Sequence, residues 1–319
     1  MRNSKVYIII SAILVAIIIA YTSTSYFFYK LNTDFKRTFS IVKALTTNHS
    51  PQAVMLGNSI LMSGIKTKLL SNDTAPKLIY NLGTSGQTLK ESILFYSKVP
   101  SSVKEVYQFI QVGQLEHQLA PIPENVLRNL VMAGYQFEKD ADTLLPLSEV
   151  NYFTKNKFLI QFEARTVFLN SFNHTFRKLM RKDLLIDSNI ENLFYPFLYT
   201  QKLEPITYQK IITKYNPISP KHSFHIDSNT VTYLSKANVY FKNKGIRYIV
   251  VLYPTNPDLF NITPQYKKDA AQQLSQFINL TVIDCQNILT SNDFVDQFHM
   301  NTNGAVKFSN YLKTQIDAF

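Results

Sequence analysis

Three side chains in this sequence have the chemistry to move an acyl group: the hydroxyl of Ser59, the imidazole of His299 and the carboxylate of Asp296. A hydroxyl is a poor nucleophile until a base takes its proton. Histidine does this near neutral pH, and a carboxylate holds the imidazole in the useful tautomer. Asp296 and His299 share the short stretch Asp296-Gln297-Phe298-His299, so one turn can present both on the same side. Ser59 comes from the other end of the chain, in Gly57-Asn58-Ser59, directly after the apolar run Ala53-Val54-Met55-Leu56. Such a run, with a helical pattern after it, reads as a buried strand turning sharply into a helix. The turn leaves the hydroxyl free and the first N–H groups of the helix pointing outward. A developing oxyanion also needs donors. The N–H groups of Ser59 and Gly86 are the candidates, and Gly86 has no side chain to block close approach.

These residues need a scaffold, and the hydropathy pattern supplies one. Strands are predicted over Gln52–Leu56, Lys77–Gly83, Glu105–Val112, Ile246–Pro254 and Leu280–Asp284. Helices are predicted over Ile60–Leu70, from Thr88 to Ser97, and over Val231–Lys244, Tyr266–Ile278 and Gly304–Ile316. Near-continuous apolar strands alternating with helices point to an α/β fold with a parallel five-stranded sheet covered on both faces. Ligands of such sheets bind at the carboxyl ends of the strands. Ser59, Gly86, Gly113 and the loop after the fifth strand all fall there. Between strands three and four lies a helical insertion, about residues 119–229, too long for a simple connection. Within it Phe153–Lys182 is aromatic and basic. It reads equally as a lid, a platform for substrate or anionic lipid, and a solvated helical face.

At 319 residues the chain has room for one large domain with an insertion. Its net charge of +11 suits an anionic envelope surface, and no nucleic-acid motif accompanies the spread of Lys and Arg. The single cysteine, Cys285, excludes an intrachain disulfide and reads as a small core residue. Val6 to Tyr21 is almost unbroken apolar sequence, and Tyr26 to Tyr29 extends it to an aromatic end. The run has the length to cross a hydrocarbon core of roughly 30 Å as a helix. The organisation expected is a membrane anchor over 1–30, a juxtamembrane helical segment over 31–50, and the catalytic domain over 51–319. A cleaved signal peptide is the alternative, although no clean cleavage site is present.

Gly57-Asn58-Ser59, then Asn81-x-Gly83-x-Ser85-Gly86-x-Thr88, then Asp296-x-x-His299 together resemble the SGNH (GDSL-like) hydrolase superfamily. The resemblance runs from Pro51 to the end, leaving aside the insertion. Asn58 stands where Gly-Asp-Ser is common. The resemblance implies a flavodoxin-like three-layer sandwich, with Ser59 as nucleophile, His299 as base, Asp296 as its orienter and Gly86 as an oxyanion donor. It implies hydrolysis or transfer of acyl esters, often O-acetyl groups on carbohydrate, with no metal and no cofactor. One departure stands out. Where the superfamily has Gly-x-Asn-Asp after strand three, this chain has Gly113-Gln114-Leu115-Glu116, and the Leu115 side chain cannot donate. With the apolar N-terminus and the insertion, this resembles the membrane-anchored branch. That branch includes the D-alanine transfer protein and the polysaccharide O-acetylation proteins. The implied partners are an envelope polysaccharide or other acylated polymer and a membrane acyltransferase, and the implied location is the cell membrane, with the domain outside the cytoplasm.

Other readings stand beside this one. His222, His225 and Asp227 offer metal-ligand types, yet the same spacing suits a solvated loop. His117 lies just past strand three and is a candidate to face the site. An accessory protein without turnover, binding an envelope polymer or acyltransferase, is the second functional class. A nucleotide-binding domain is a third, but strand one leads into no glycine-rich phosphate loop with lysine.

Overall fold

The computed structural model describes residues 6–19, 34–47, 50–71, 77–117, 119, 122–136, 204–216, 223–259, 262–277 and 279–318. Five strands form one all-parallel sheet: β1 (Ala53–Leu56), β2 (Ile79–Asn81), β3 (Glu105–Ile110), β4 (Arg247–Leu252) and β5 (Thr281–Asp284). Their order is β2-β1-β3-β4-β5. In such an order the connections run outward in opposite directions from β1 and β3, which opens a crevice at the carboxyl ends of those two strands.

Side chains alternate across the sheet, because successive residues of a strand point to opposite faces. Val54, Leu56, Val106, Val250 and Leu252 belong to one core, and Ala53, Met55, Tyr107, Ile249 and Val251 to the other. The first core is closed by α2 (Asp34–Thr46), α4 (Leu89–Tyr96), α5 (Glu124–Met132), α7 (Ser228–Asn243) and α8 (Pro264–Phe277). The second is closed by α3 (Ser59–Gly64) and α9 (Thr302–Asp317), with Phe308, Leu312 and Ile316 of α9 against the strands. Cys285 lies fully buried in this second core, as a small core residue should.

One predicted element is corrected. The helix expected over Ile60–Leu70 stops at Gly64, Ile65 is extended, and a separate 3₁₀ turn covers Thr67–Leu70. Gly64 lies under the Met300 side chain, where a Cβ would collide with the methyl group. The segment expected over 31–50 carries α2, which packs against the sheet. Arg37, Thr38, Ile41 and Val42 make a buried stripe at i, i+4 spacing on α2, and Ile41 and Val42 join the first core. The helix preceding the sheet is therefore part of the folded domain.

Residues 6–19 form helix α1, and residues 20–33 lie outside the described part. Among the described residues no helix is long and apolar enough to cross a membrane, so the single-pass anchor expected over Val6–Tyr29 is not supported. A helix of residues 6–19 alone falls short of the roughly 20 apolar residues a span requires. The aromatic, basic segment Phe153–Lys182 and His222 are likewise outside the described residues. Of the expected insertion, α5 and α6 (Pro205–Tyr215) are seen, and both are helical.

Candidate active site

The crevice at the ends of β1 and β3 is where the distant sequence blocks meet. Asn58 caps α3: its side-chain oxygen accepts from Ile60 N–H at 3.0 Å, while its carbonyl accepts from Met62 N–H at 3.1 Å. Ser59 is thus the first residue of the helix, and its N–H is one of the donors for which the helix provides no carbonyl. Gly57 is required by crowding, since a Cβ there would run into the Tyr253 hydroxyl and Phe109. The Tyr253 hydroxyl sits beneath the turn and accepts from Asn58 N–H at 3.2 Å.

Asp296 and His299 come from the loop between β5 and α9. An antiparallel bridge between Phe294 and Met300 closes this loop, together with a bond from Val295 N–H to the His299 carbonyl at 2.9 Å. Asp296 Oδ1 accepts from Phe298 N–H at 2.8 Å and from His299 N–H at 2.6 Å. This side-chain-to-backbone turn curls the chain so that the imidazole folds back over the carboxylate. His299 Nδ1 lies 2.8 Å from Asp296 Oδ2, and His299 Nε2 lies 2.9 Å from Ser59 Oγ. An ionised carboxylate only accepts, so Nδ1 carries the proton. In the neutral ring Nε2 is then the acceptor for the serine hydroxyl. Burial by itself raises the Asp296 pKa. The side-chain hydrogen bond and charge of His299, with the N–H groups of His299 and Phe298, outweigh it and hold the carboxyl below its usual value.

Gly86 lies in a turn between β2 and α4, with φ of +66°, a conformation that favours glycine. The turn is strapped to the Gly57–Ser59 loop on both sides of Gly86. Thr84 N–H donates to the Gly57 carbonyl at 3.1 Å, and Gly57 N–H donates to Gln87 Oε1 at 2.5 Å. Gln87 is buried and also accepts from Ser92 Oγ. A Cβ at Gly86 would meet nothing within 4 Å, so the position is open.

After β3 the chain forms a 3₁₀ turn over Val112–Leu115, and Leu115 is fully buried. The Gln114 side-chain oxygen is taken up by Gln111 N–H, from which it accepts at 3.2 Å. Gln111 is the residue that reaches the site, with Oε1 3.5 Å from Asn58 Nδ2. His117 is exposed and lines a cavity beside the Ser59–His299 pair, and His225 is exposed. Among the described residues no cluster of His, Cys, Asp or Glu has the makings of a metal site.

Sequence reasoning missed the second layer. Asn256 Nδ2 donates to the Asp296 carbonyl at 3.0 Å and to the Tyr208 hydroxyl at 3.0 Å. Tyr208, on α6, donates in turn to Asp258 Oδ2 at 2.7 Å. Burial first, then Asp258, push the Tyr208 pKa up to about 12, so it stays a neutral donor. Tyr215 of the same helix packs edge-on against Phe298 with ring centroids 5.3 Å apart. The insertion thus braces the acid–base loop. The signal available in the sequence is the i, i+7 spacing of Tyr208 and Tyr215, which puts both on one helical face.

A model for an uncharacterised family matches residues 200–319, the part that holds β4, β5 and the Asp296–His299 loop but not Ser59. No curated protein matches the chain.

Proposed function

We propose that this protein is a serine-dependent acyl-ester hydrolase or acyltransferase of the SGNH type, acting on a cell-envelope carbohydrate or polymer. The continuous hydrogen-bonded line from Ser59 Oγ through His299 to Asp296 carries this reading. The 2-1-3-4-5 strand order supports the flavodoxin-like architecture that the resemblance implies.

In this mechanism Ser59 Oγ attacks the acyl carbonyl carbon while its proton passes to His299 Nε2. Asp296 keeps Nδ1–H in place and offsets the imidazolium charge. The oxyanion is met by the N–H groups of Ser59 and Gly86. As the tetrahedral species collapses, the leaving alkoxide takes the proton from Nε2. Water or an acceptor hydroxyl then repeats the cycle on the acyl-enzyme. Loss of one oxyanion donor costs roughly 10²–10³ in rate. The apolar run that begins at Val6 is the feature favouring a membrane location, with a membrane acyltransferase as partner.

The experiment is labelling of the full-length chain by a small fluorophosphonate, for wild type, Ser59→Ala and His299→Ala, with circular dichroism to check folding. Labelling lost in both variants is the expected result. Folded wild type that does not label refutes the hydrolase reading. The second reading, an accessory protein without turnover, rests on Leu115 at the donor position. It predicts capture of an acylated envelope polymer that survives both substitutions.

A further inference from the structure

Beside the triad a cavity of about 480 Å³ enters the molecule at the carboxyl ends of β3 and β4. Its walls touch the site at three points. Gln111 faces Asn58, Gln87 accepts from Gly57 N–H, and Phe298 lies between Asp296 and His299 in the acid–base loop. From there the wall becomes aliphatic, with Leu89, Ile110, Leu115, Leu119, Leu259 and Ile262. None of the described lining residues is Asp, Glu, Lys or Arg, although the chain carries a net charge of +11. The polar groups that do line it are amides, hydroxyls and one exposed histidine, His117.

We infer that this cavity is the acyl-chain subsite of the proposed serine enzyme, and that the group it accepts is neutral and longer than acetyl, with room for up to about sixteen carbons. The inference rests on the serine reading and narrows it. At roughly 30 Å³ per water-sized group, an acetyl carbon pair fills about 60 Å³ and leaves most of the cavity unoccupied. A ten-carbon chain fills about 300 Å³ of it. Charge argues in the same direction. An aminoacyl ester brings an ammonium, and the described wall holds no carboxylate to receive it. Burying an unpaired cation is costly, whereas each buried methylene adds to binding. The reaction balances as a simple ester cleavage: Ser59 Oγ gains the acyl group, the alcohol leaves with the proton held by His299, and water returns that proton on release of the fatty acid.

The test uses full-length protein and a series of p-nitrophenyl esters: acetate, butyrate, hexanoate, octanoate, decanoate and D-alanyl. From acetate to octanoate kcat/KM is expected to rise at least about tenfold, since each methylene is worth up to about fourfold. Leu119→Trp and Leu89→Trp, which fill the wall at half-buried positions, are expected to lower the ratio of octanoate to acetate turnover, each measured on the same variant, about tenfold or more. Binding of methyl octanoate to Ser59→Ala, measured by calorimetry, reads the subsite without turnover and is expected to exceed that of methyl acetate. A flat series, a preference for acetate or the D-alanyl ester, or equal binding of the two methyl esters overturns the subsite. Loss of fluorophosphonate labelling is a separate outcome: with methyl octanoate still bound, it removes the hydrolase and leaves the subsite standing.

Discussion

Arg37 of α2 donates from Nε to the Gly83 carbonyl at 2.7 Å, binding the helix that precedes the sheet to the turn that carries Gly86. Its Nη2 donates to the Asn81 carbonyl at 2.8 Å. Asn81 Oδ1 in turn accepts from Gly83 N–H, and Asn81 Nδ2 donates to the Leu61 carbonyl of α3. One guanidinium therefore fixes the turn on one side while Gln87 fixes it on the other. Arg37→Met should destabilise the domain by about 1–3 kcal/mol for each buried carbonyl left unpaired. Arg37→Lys should recover little, because an ammonium does not reproduce the fork. Denaturant unfolding checks the stability, and the rate of fluorophosphonate labelling checks the turn. A protein beginning at Pro51 should unfold at lower denaturant than one beginning before Asp34.

Asp296→Asn separates the structural from the electrostatic role of the acid. The amide oxygen still accepts from Phe298 and His299 N–H groups, so the loop should keep its shape. The amide nitrogen then faces Nδ1 as a donor and drives the ring proton to Nε2, where it points at Ser59. Ester turnover should fall about 10³–10⁴-fold with little change in Tm. A fall below tenfold would remove Asp296 from the mechanism.

Acid should destabilise the fold. Asp296, Glu105 and Asp293 are each pushed up by burial and pulled below the ordinary carboxylate value by their partners. For Glu105 the partners are Lys77, Tyr107 and Arg247. For Asp293 they are Lys307 and Thr290. A depressed folded pKa gives stability that is complete above the unfolded value of about 4 and is lost as pH falls through the folded value. Tm should stay level from pH 7 to about 5 and drop below about 4. Glu105→Gln should lower Tm at neutral pH and flatten the acid limb. A Tm that rises toward pH 3 would contradict this.

Gly304 lies inside α9, where alanine is normally the better helix former by about 1 kcal/mol. Here the sign reverses. A Cβ would collide with the Asp293 carbonyl oxygen, which accepts from Asn301 N–H at 2.9 Å just ahead of the helix. Gly304→Ala should destabilise by about 1–3 kcal/mol through overpacking. Asn310→Ala on the exposed face of the same helix should be neutral or slightly stabilising. Thermal unfolding of both variants decides it.

Much of this arrangement is legible before folding because it is written in local patterns. The apolar run ending at Leu56 reads as a strand and the pattern after it as a helix, so Ser59 stands at the turn between them. Asp296 and His299 are close enough in sequence that one turn orients both. Five such strands with helices between them can only be a parallel sheet with its loops, and so its chemistry, at the carboxyl ends. What the tertiary structure decided are the relations no period encodes. Ser59 and His299 are 240 positions apart, and packing on the second face of the sheet sets the 2.9 Å between them. α3 ends at Gly64, which lies against the Met300 side chain, and burial of the α2 stripe draws Arg37 into the domain. Gln111, Gln87, Asn256 and Tyr208 carry no motif. Each gains its place because a polar group buried at the sheet's end must find a partner, and that partner is chosen by the fold.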